Sequence, residues 1–146
     1  MNRTEGLTAM PDYQDTTRAK IVFGLRTFAA GPAPLPAELS YDTSDPYAVA
    51  VTFHTGRGSV QWMCARDLIA DGLLAPAGLG DLRISPANDP EFVVFELITP
   101  DGEAVMEAPS AELAAFLDRT YEKIPAGSEH QWFDFEHELG KLTSHS

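Results

Sequence analysis

The sequence predicts an α+β fold: a strongly curved antiparallel sheet or barrel of six to seven strands, with one inserted short helix and helices at the C-terminal end. Three observations predict it. Short apolar runs with period-two alternation recur from Thr17 to Glu107, as half-buried strands require. Glycine- and proline-rich stretches separate them at hairpin spacing. Beyond Pro109 the apolar period becomes helical. Strand runs followed by helix runs define an α+β arrangement.

Residues 1–15 are polar and aperiodic, contain Gly6 and Pro11, and are expected to form a loose tail before a single domain at 16–146. The first strand is predicted over Thr17–Phe28. Ile21, Phe23 and Leu25 alternate on one face, and Arg18, Lys20 and Arg26 lie on the other with Val22 and Phe28. Ala29–Pro36 reads as a loop by its Pro and Gly content. Ala37–Tyr41 reads as a short strand ending in the turn formers Asp42-Thr43-Ser44-Asp45-Pro46. Ala48–His54 and Ser59–Cys64 form a hairpin across Thr55-Gly56-Arg57-Gly58, with Val49, Val51 and Phe53 on one face and Val60, Trp62 and Cys64 on one face of the second arm.

A short helix follows over Ala65–Leu74, with Ala65, Leu68, Ile69 and Gly72 at helical spacing, ended by Ala75-Pro76-Ala77-Gly78. Asp81–Ser85 is another strand. Glu91–Thr99 is apolar on both faces apart from Glu96, which marks a central, covered strand. Pro100-Asp101-Gly102 turns the chain into Glu103–Glu107. A helix then begins at Pro109-Ser110, with Leu113, Phe116, Leu117, Tyr121 and Ile124 on one face, and Pro125 stops it. A last helix starts at Ser128, where Ser128 and Gln131 fit a capping box, or at Asp134.

The chain has 146 residues, enough for a sizeable core without disulfides or metal, and its single cysteine, Cys64, fits a reducing compartment. Its N-terminus lacks the apolar stretch of a secretory signal, and no run of about 18 apolar residues occurs, so a cytoplasmic protein without membrane insertion is expected. Net charge is −12. Residues 1–30 carry four cations against three acids, residues 31–100 three against nine, and residues 101–146 three against ten. Such a field repels phosphate backbones and anionic lipid.

Catalytic and cofactor motifs are missing. There is no phosphate-binding loop, no dinucleotide fingerprint, no G-x-S-x-G and no H-E-x-x-H, and the lone G-x-G pieces at Gly56 and Gly78 read as turns. His54, His130, His137 and His145 include no i, i+4 pair, so no metal site is expected. Neither cofactor nor enzymatic activity is expected. Cys64 beside Trp62 reads as a buried small hydrophobe; a reactive thiol would require a neighbouring cation such as Arg66. Glu96 is either a general base or, by preference, a carboxylate that curls into solvent or pairs with Arg83 or Arg66. The Arg18/Lys20/Arg26 face is either a groove for single-stranded nucleic acid or a solvated face offsetting the chain's acidity. The acidic end (Glu129, Asp134, Glu136, Glu138) with Trp132, Phe133 and Phe135 is either a docking segment or an amphipathic helix with its acids in water.

A set of ordered short matches extends this reading. Ala37-Glu38-Leu39, Tyr41-Asp42-Thr43 and Asp45-Pro46-Tyr47-Ala48-Val49 open the set. Phe53-His54, Val60 with Trp62, Ala65-Arg66-Asp67-Leu68, Gly72-Leu73, Pro76 with Gly78, and Gly80-Asp81 follow in order. Pro100 with Gly102, Glu107-Ala108-Pro109, Phe116-Leu117 with Arg119-Thr120, Pro125 with Gly127 and Glu129, and Phe133-Asp134 with Leu139 complete it. Over residues 17–142 the chain resembles the SsgA-like sporulation and cell-division proteins of actinobacteria. It departs from the pattern in the longer start, residues 1–15, and in Met63-Cys64 before Ala65.

The resemblance implies a Whirly-like fold, a homotrimer, and a non-enzymatic role in sporulation-specific septation. Members help place or promote assembly of the tubulin-like division protein FtsZ, directly or through other members, which implies a location at the division septum. Single-stranded nucleic-acid binding, as in Whirly relatives, is the alternative, and the net charge opposes it. Asp42 and Asp45 suit the capping of free N–H groups before Pro46, and Trp62 suits an anchor in the core or at a subunit interface. Arg66-Asp67 either tie helix to sheet or form a surface that a partner reads. Tyr and Arg dominate binding hot spots, so a protein-binding surface is expected at Tyr41, Asp45, Tyr47, Arg66 and Asp67, with the tyrosines and the arginine facing outward.

Overall fold

Alternation between polar and apolar side chains decides where each strand lies, and the structure, a computed structural model that describes residues 15–27, 31–100 and 102–131, follows it closely. Strand β1 (Thr16–Leu25) buries Thr17, Ile21 and Phe23 and exposes Arg18, Lys20 and Val22. It pairs along its whole length with β2 (Ala33–Asp42), in register from Thr16 opposite Asp42 to Leu25 opposite Ala33. Strands β3 (Ala48–Thr55) and β4 (Gly58–Ala65) form the expected hairpin, closed by Thr55 opposite Gly58. Thr55 Oγ1 donates to Gly58 O at 2.9 Å, and Gly58 takes a positive φ of 131° that suits glycine.

Helix α1 (Arg66–Gly72) leaves β4 directly, and β5 (Leu82–Pro86), β6 (Phe92–Thr99) and β7 (Gly102–Pro109) form a second antiparallel unit. Strand β6 buries Val93, Val94, Phe95 and Leu97, so both of its faces are covered. Helix α2 (Ser110–Lys123) buries Leu113, Phe116, Leu117 and Thr120 and ends at Ile124, whose extended conformation is the one favoured before Pro125.

The seven strands form one antiparallel sheet in the order β4-β3-β2-β1-β7-β6-β5. Among the described residues its two units are joined as a ladder at one end of β1, where Gly24 and Leu25 pair with Glu107 and Met106 of β7 and Arg26 N–H donates to Val105 O at 2.9 Å. A ten-residue strand joined to its neighbour at one end alone must splay away from it at the other. The sheet therefore curls into a half-barrel, and α2 packs against β1 and β7 within the curl. Phe23 sits edge-on to both Phe53 and Phe95, with ring centroids 5.2 Å apart in each pair, so the two units share one aromatic centre.

Three expectations need correction. The loop expected at Ala29–Pro36 is strand from Ala33 onward, despite Pro34 and Pro36. Thr43 N–H donates to Asp15 O at 2.9 Å, so odd-numbered residues of β2 bond toward β1. The two prolines face the other side, beyond the Ala37–Phe53 pair where pairing with β3 stops, and their missing N–H groups cost the ladder nothing. The helix expected from Ala65 begins at Arg66, and Arg66 rather than Ala65 takes the buried position. Glu129, expected among acids facing water, is buried. The last helix is under way at Glu129–Gln131, as a start at Ser128 requires; its continuation, residues 1–14 of the tail and Phe28 lie outside the described residues.

Candidate functional site

The turn between β2 and β3 and the junction of β4 with α1 lie side by side. Ala48 pairs with Ala65, and the Arg66 N–H, one of the orphan donors of a helix start, reaches Tyr47 O at 2.7 Å. Within the turn, Asp42 Oδ1 accepts from Ser44 N–H at 2.9 Å and from Ser44 Oγ at 2.8 Å, and Asp45 N–H donates to Asp42 O at 2.9 Å. Asp42 thus holds the turn locally, while the Asp45 side chain is exposed. The five expected binding residues are brought together here, but they divide into two groups.

Tyr41 and Arg66 do not face outward; both are fully buried. Tyr41 shares the core-facing parity of Ala37 and Leu39, and its hydroxyl donates to Pro46 O at 2.9 Å. Burial, only partly offset by the nearby Arg66 charge, pushes its hydroxyl up to about 12. The Arg66 guanidinium lies between two aromatic faces, 4.8 Å from the Tyr41 ring centroid and 4.6 Å from that of Tyr121. Its Nη1 donates to Ile124 O at 2.8 Å and to Thr120 O at 3.3 Å, two carbonyls at the C-terminal end of α2, the second of which also accepts the Ile124 N–H at 3.0 Å. Its Nη2 donates to Glu129 Oε2 at 2.8 Å. One side chain therefore fastens the turn, the β4–α1 junction, the end of α2 and the start of the last helix. Tyr47, at 47% exposure, and the exposed Asp45 and Asp67 form the outward side of the same region.

Sequence reasoning missed Thr120, Tyr121 and Glu129 as members of this cluster. Thr120 and Glu129 lie 54 and 63 residues from Arg66, beyond any local pattern. The one available signal was their place among the ordered matches to the family pattern.

Burial works to raise the Glu129 carboxyl, but the Arg66 hydrogen bond and charge outweigh it, and the group titrates below its ordinary 4.5. A depressed folded value contributes stability above the unfolded value and loses it as pH falls through the folded one. Stability is thus expected to decline from about pH 4.5 downward. Thermal melts of Glu129→Gln should show a lower plateau at pH 7 and a flatter acid limb. An acid limb as steep as that of the unmodified chain would refute the assignment.

The other candidates resolve differently. Cys64 is buried, and burial pushes its thiol up to about 12, so it is an inert core residue. Glu96 stands opposite Arg83 across β5 and β6, whereas Arg66 is committed to Glu129. Arg26, just beyond β1, donates to Glu107 Oε2 at 2.9 and 3.1 Å, and Lys20 stands opposite Glu38, so two of the three expected cations have a carboxylate as partner or cross-strand neighbour. Among the described residues no helix is long and apolar enough to cross a membrane.

These features define a curled α+β half-barrel whose buried charges bind its elements to one another and whose exposed turn and helix start present a small mixed surface. The chain belongs to the SsgA family, described as Streptomyces sporulation and cell division protein, which matches residues 35–129. It is 51% identical over 132 residues to the sporulation-specific cell division protein SsgB of Saccharopolyspora erythraea, covering 89% of this chain and 94% of the relative. It is 47% identical over 116 residues to SsgB of Streptomyces coelicolor, covering 77% of this chain and 85% of the relative. The crystal structure of an SsgA-like sporulation-specific cell division protein from Thermobifida fusca superimposes with a TM-score of 0.82 at 35% identity, over 91% of this chain and 99% of that one. A structure solved in connection with SsgB mutations that correlate to longitudinal cell division in sporulating Streptomyces coelicolor gives a TM-score of 0.79 at 43% identity, over 83% and 98%.

Proposed function

We propose that this chain is a non-enzymatic regulator of sporulation-specific septation, working in the cytoplasm at the division septum, where it binds a division protein and helps position or promote assembly of the FtsZ ring. Membership of a sporulation and cell-division family supports the reading. The observation that carries the site is the division of labour around Arg66. Its N–H pins the Tyr47 carbonyl at 2.7 Å while the Tyr47 ring stays outside, so an amphipathic anchor is held rigidly with Asp45 and Asp67 beside it. A pre-ordered anchor loses little entropy on binding. The working unit is a homotrimer, as the family resemblance implies.

Co-sedimentation with FtsZ polymers tests the reading. Tyr47→Ala and Asp67→Ala should each weaken binding about tenfold or more, with thermal stability and the three-chain mass by light scattering unchanged. If binding losses track a fall in melting temperature instead, these residues are scaffold. If the unmodified chain fails to co-sediment, direct contact with FtsZ is wrong.

A further inference from the structure

An open sheet has two edges, and this chain treats them differently. Strand β5 is guarded. It is five residues long, it ends at Pro86, and the outward groups at its centre are taken: Ala77 N–H donates to Ile84 O at 2.8 Å and Ile84 N–H donates to Ala77 O at 3.0 Å. Among the described residues, strand β4 has none of the usual protections. Its eight residues, Gly58–Ala65, include no proline and no charged side chain, and they pair with β3 residue for residue without a bulge.

Parity fixes which groups point outward. Odd residues of β2 bond toward β1, so its even residues bond toward β3, where Ser40 pairs with Ala50 and Glu38 with Thr52. Odd residues of β3 therefore bond toward β4, opposite Val60, Trp62 and Cys64. Ser59, Gln61 and Met63 turn their N–H and C=O groups to the open edge, and all three residues are exposed, Met63 at 55%.

We propose that this edge pairs antiparallel with β4 of a second copy about a two-fold axis through Trp62. The register follows from two requirements. Outward-facing odd residues must oppose one another to exchange hydrogen bonds, and charges at the ends of the strand must match. Centring on Trp62 sets Gln61 against Met63 of the second copy, and it brings exposed Arg57, in the β3–β4 turn, level with exposed Asp67, at the start of α1. Centring on Gln61 or Met63 instead sets Arg57 against Ala65 or Asp67 against Ser59. An isologous contact forms the Arg57–Asp67 match twice. The strand carries no charge of its own, so the contact avoids the repulsion that two chains of −12 impose elsewhere. A single edge pair buries little surface, so the association is weak and joins whatever unit exists at low concentration.

Light scattering on the full chain from about 5 to about 500 µM tests it. The mass per particle should double over this range. Gln61→Pro should hold the low-concentration mass and still melt like the unmodified chain, because its N–H faces outward and the β3–β4 ladder loses no bond. Met63→Lys, which charges the edge without touching the backbone, should act alike. Arg57→Glu should weaken doubling about tenfold, and Arg57→Glu with Asp67→Arg should restore it. A mass independent of concentration, doubling that survives Gln61→Pro, or a charge swap that fails to restore it would overturn the proposal.

Discussion

Replacing Arg66 with alanine is expected to lower the melting temperature by roughly 10 °C. The guanidinium is wholly buried, so none of its interactions is diluted by solvent. Its removal leaves the Glu129 carboxylate buried without its cation, strips the Ile124 carbonyl of the Nη1 donor and takes one of two donors from Thr120 O. Breaking a buried pair in this way costs about 3–5 kcal/mol. A cavity between the Tyr41 and Tyr121 rings adds to the loss. Arg66→Lys should recover only part, since one ammonium cannot bond α2 and Glu129 while stacking between two rings. The pair is nonetheless imperfect: Arg66 Nε is buried with no hydrogen-bond partner among the described residues. The double variant Arg66→Met/Glu129→Leu should therefore stand well above Arg66→Ala, because apolar pairs often replace buried ion pairs without loss. Thermal denaturation at pH 7 decides it. An Arg66→Ala protein melting within about 3 °C of the unmodified chain would show that the cluster contributes little.

The same cluster shows where sequence reading succeeds and where it stops. Strand β1, the β3–β4 hairpin, two-faced β6 and helix α2 were legible because each carries its own periodicity or turn chemistry. The first half of β2 was not, because Pro34 and Pro36 read as breakers until one knows that their side of the strand has no partner. Burial of Tyr41 was in fact written in the alternation Ala37, Leu39, Tyr41, and assigning it to a binding surface set that alternation aside. Tyr41 and Tyr47 are the same residue type at the two ends of one turn: Tyr41 is the last core-facing residue of β2, whereas Tyr47 precedes β3 and stays exposed. Burial of Arg66 had no local trace. An arginine opening a helix normally faces water, and what draws this one inward are carbonyls and a carboxylate that only the tertiary fold brings near. The ordered motif matches were more informative about family than about role, because buried Arg66 and exposed Tyr47 occur in one pattern.

Gly72→Ala is the second substitution with a large expected effect, and its sign is the opposite of what helix propensity suggests. Alanine in place of glycine within a helix favours it by about 1 kcal/mol. At this position a Cβ would lie 2.4 Å from Ile84 Cγ2, 2.5 Å from Ile84 Cβ and 3.0 Å from Ile84 O. None of these atoms is the free end of a flexible chain. Ile84 is fully buried, β-branched and stiff at χ1, and its N–H and C=O are both bonded to Ala77. The helix must therefore move away from β5, and overpacking of this kind costs about 1–3 kcal/mol, occasionally more. With the stiff Ile84 Cβ and one backbone oxygen in the clash the upper part of that range applies, so the steric term wins and melting should fall by about 5 °C. Ile84→Ala should not rescue the variant, because the Cβ and carbonyl that crowd Gly72 remain. Hydrogen exchange should show the Ile84 and Ala77 amides opening first, since the bridge between them takes up the displacement. A Gly72→Ala protein melting at or above the unmodified temperature, or one fully rescued by Ile84→Ala, would mean that α1 and β5 are less closely fitted than these distances require.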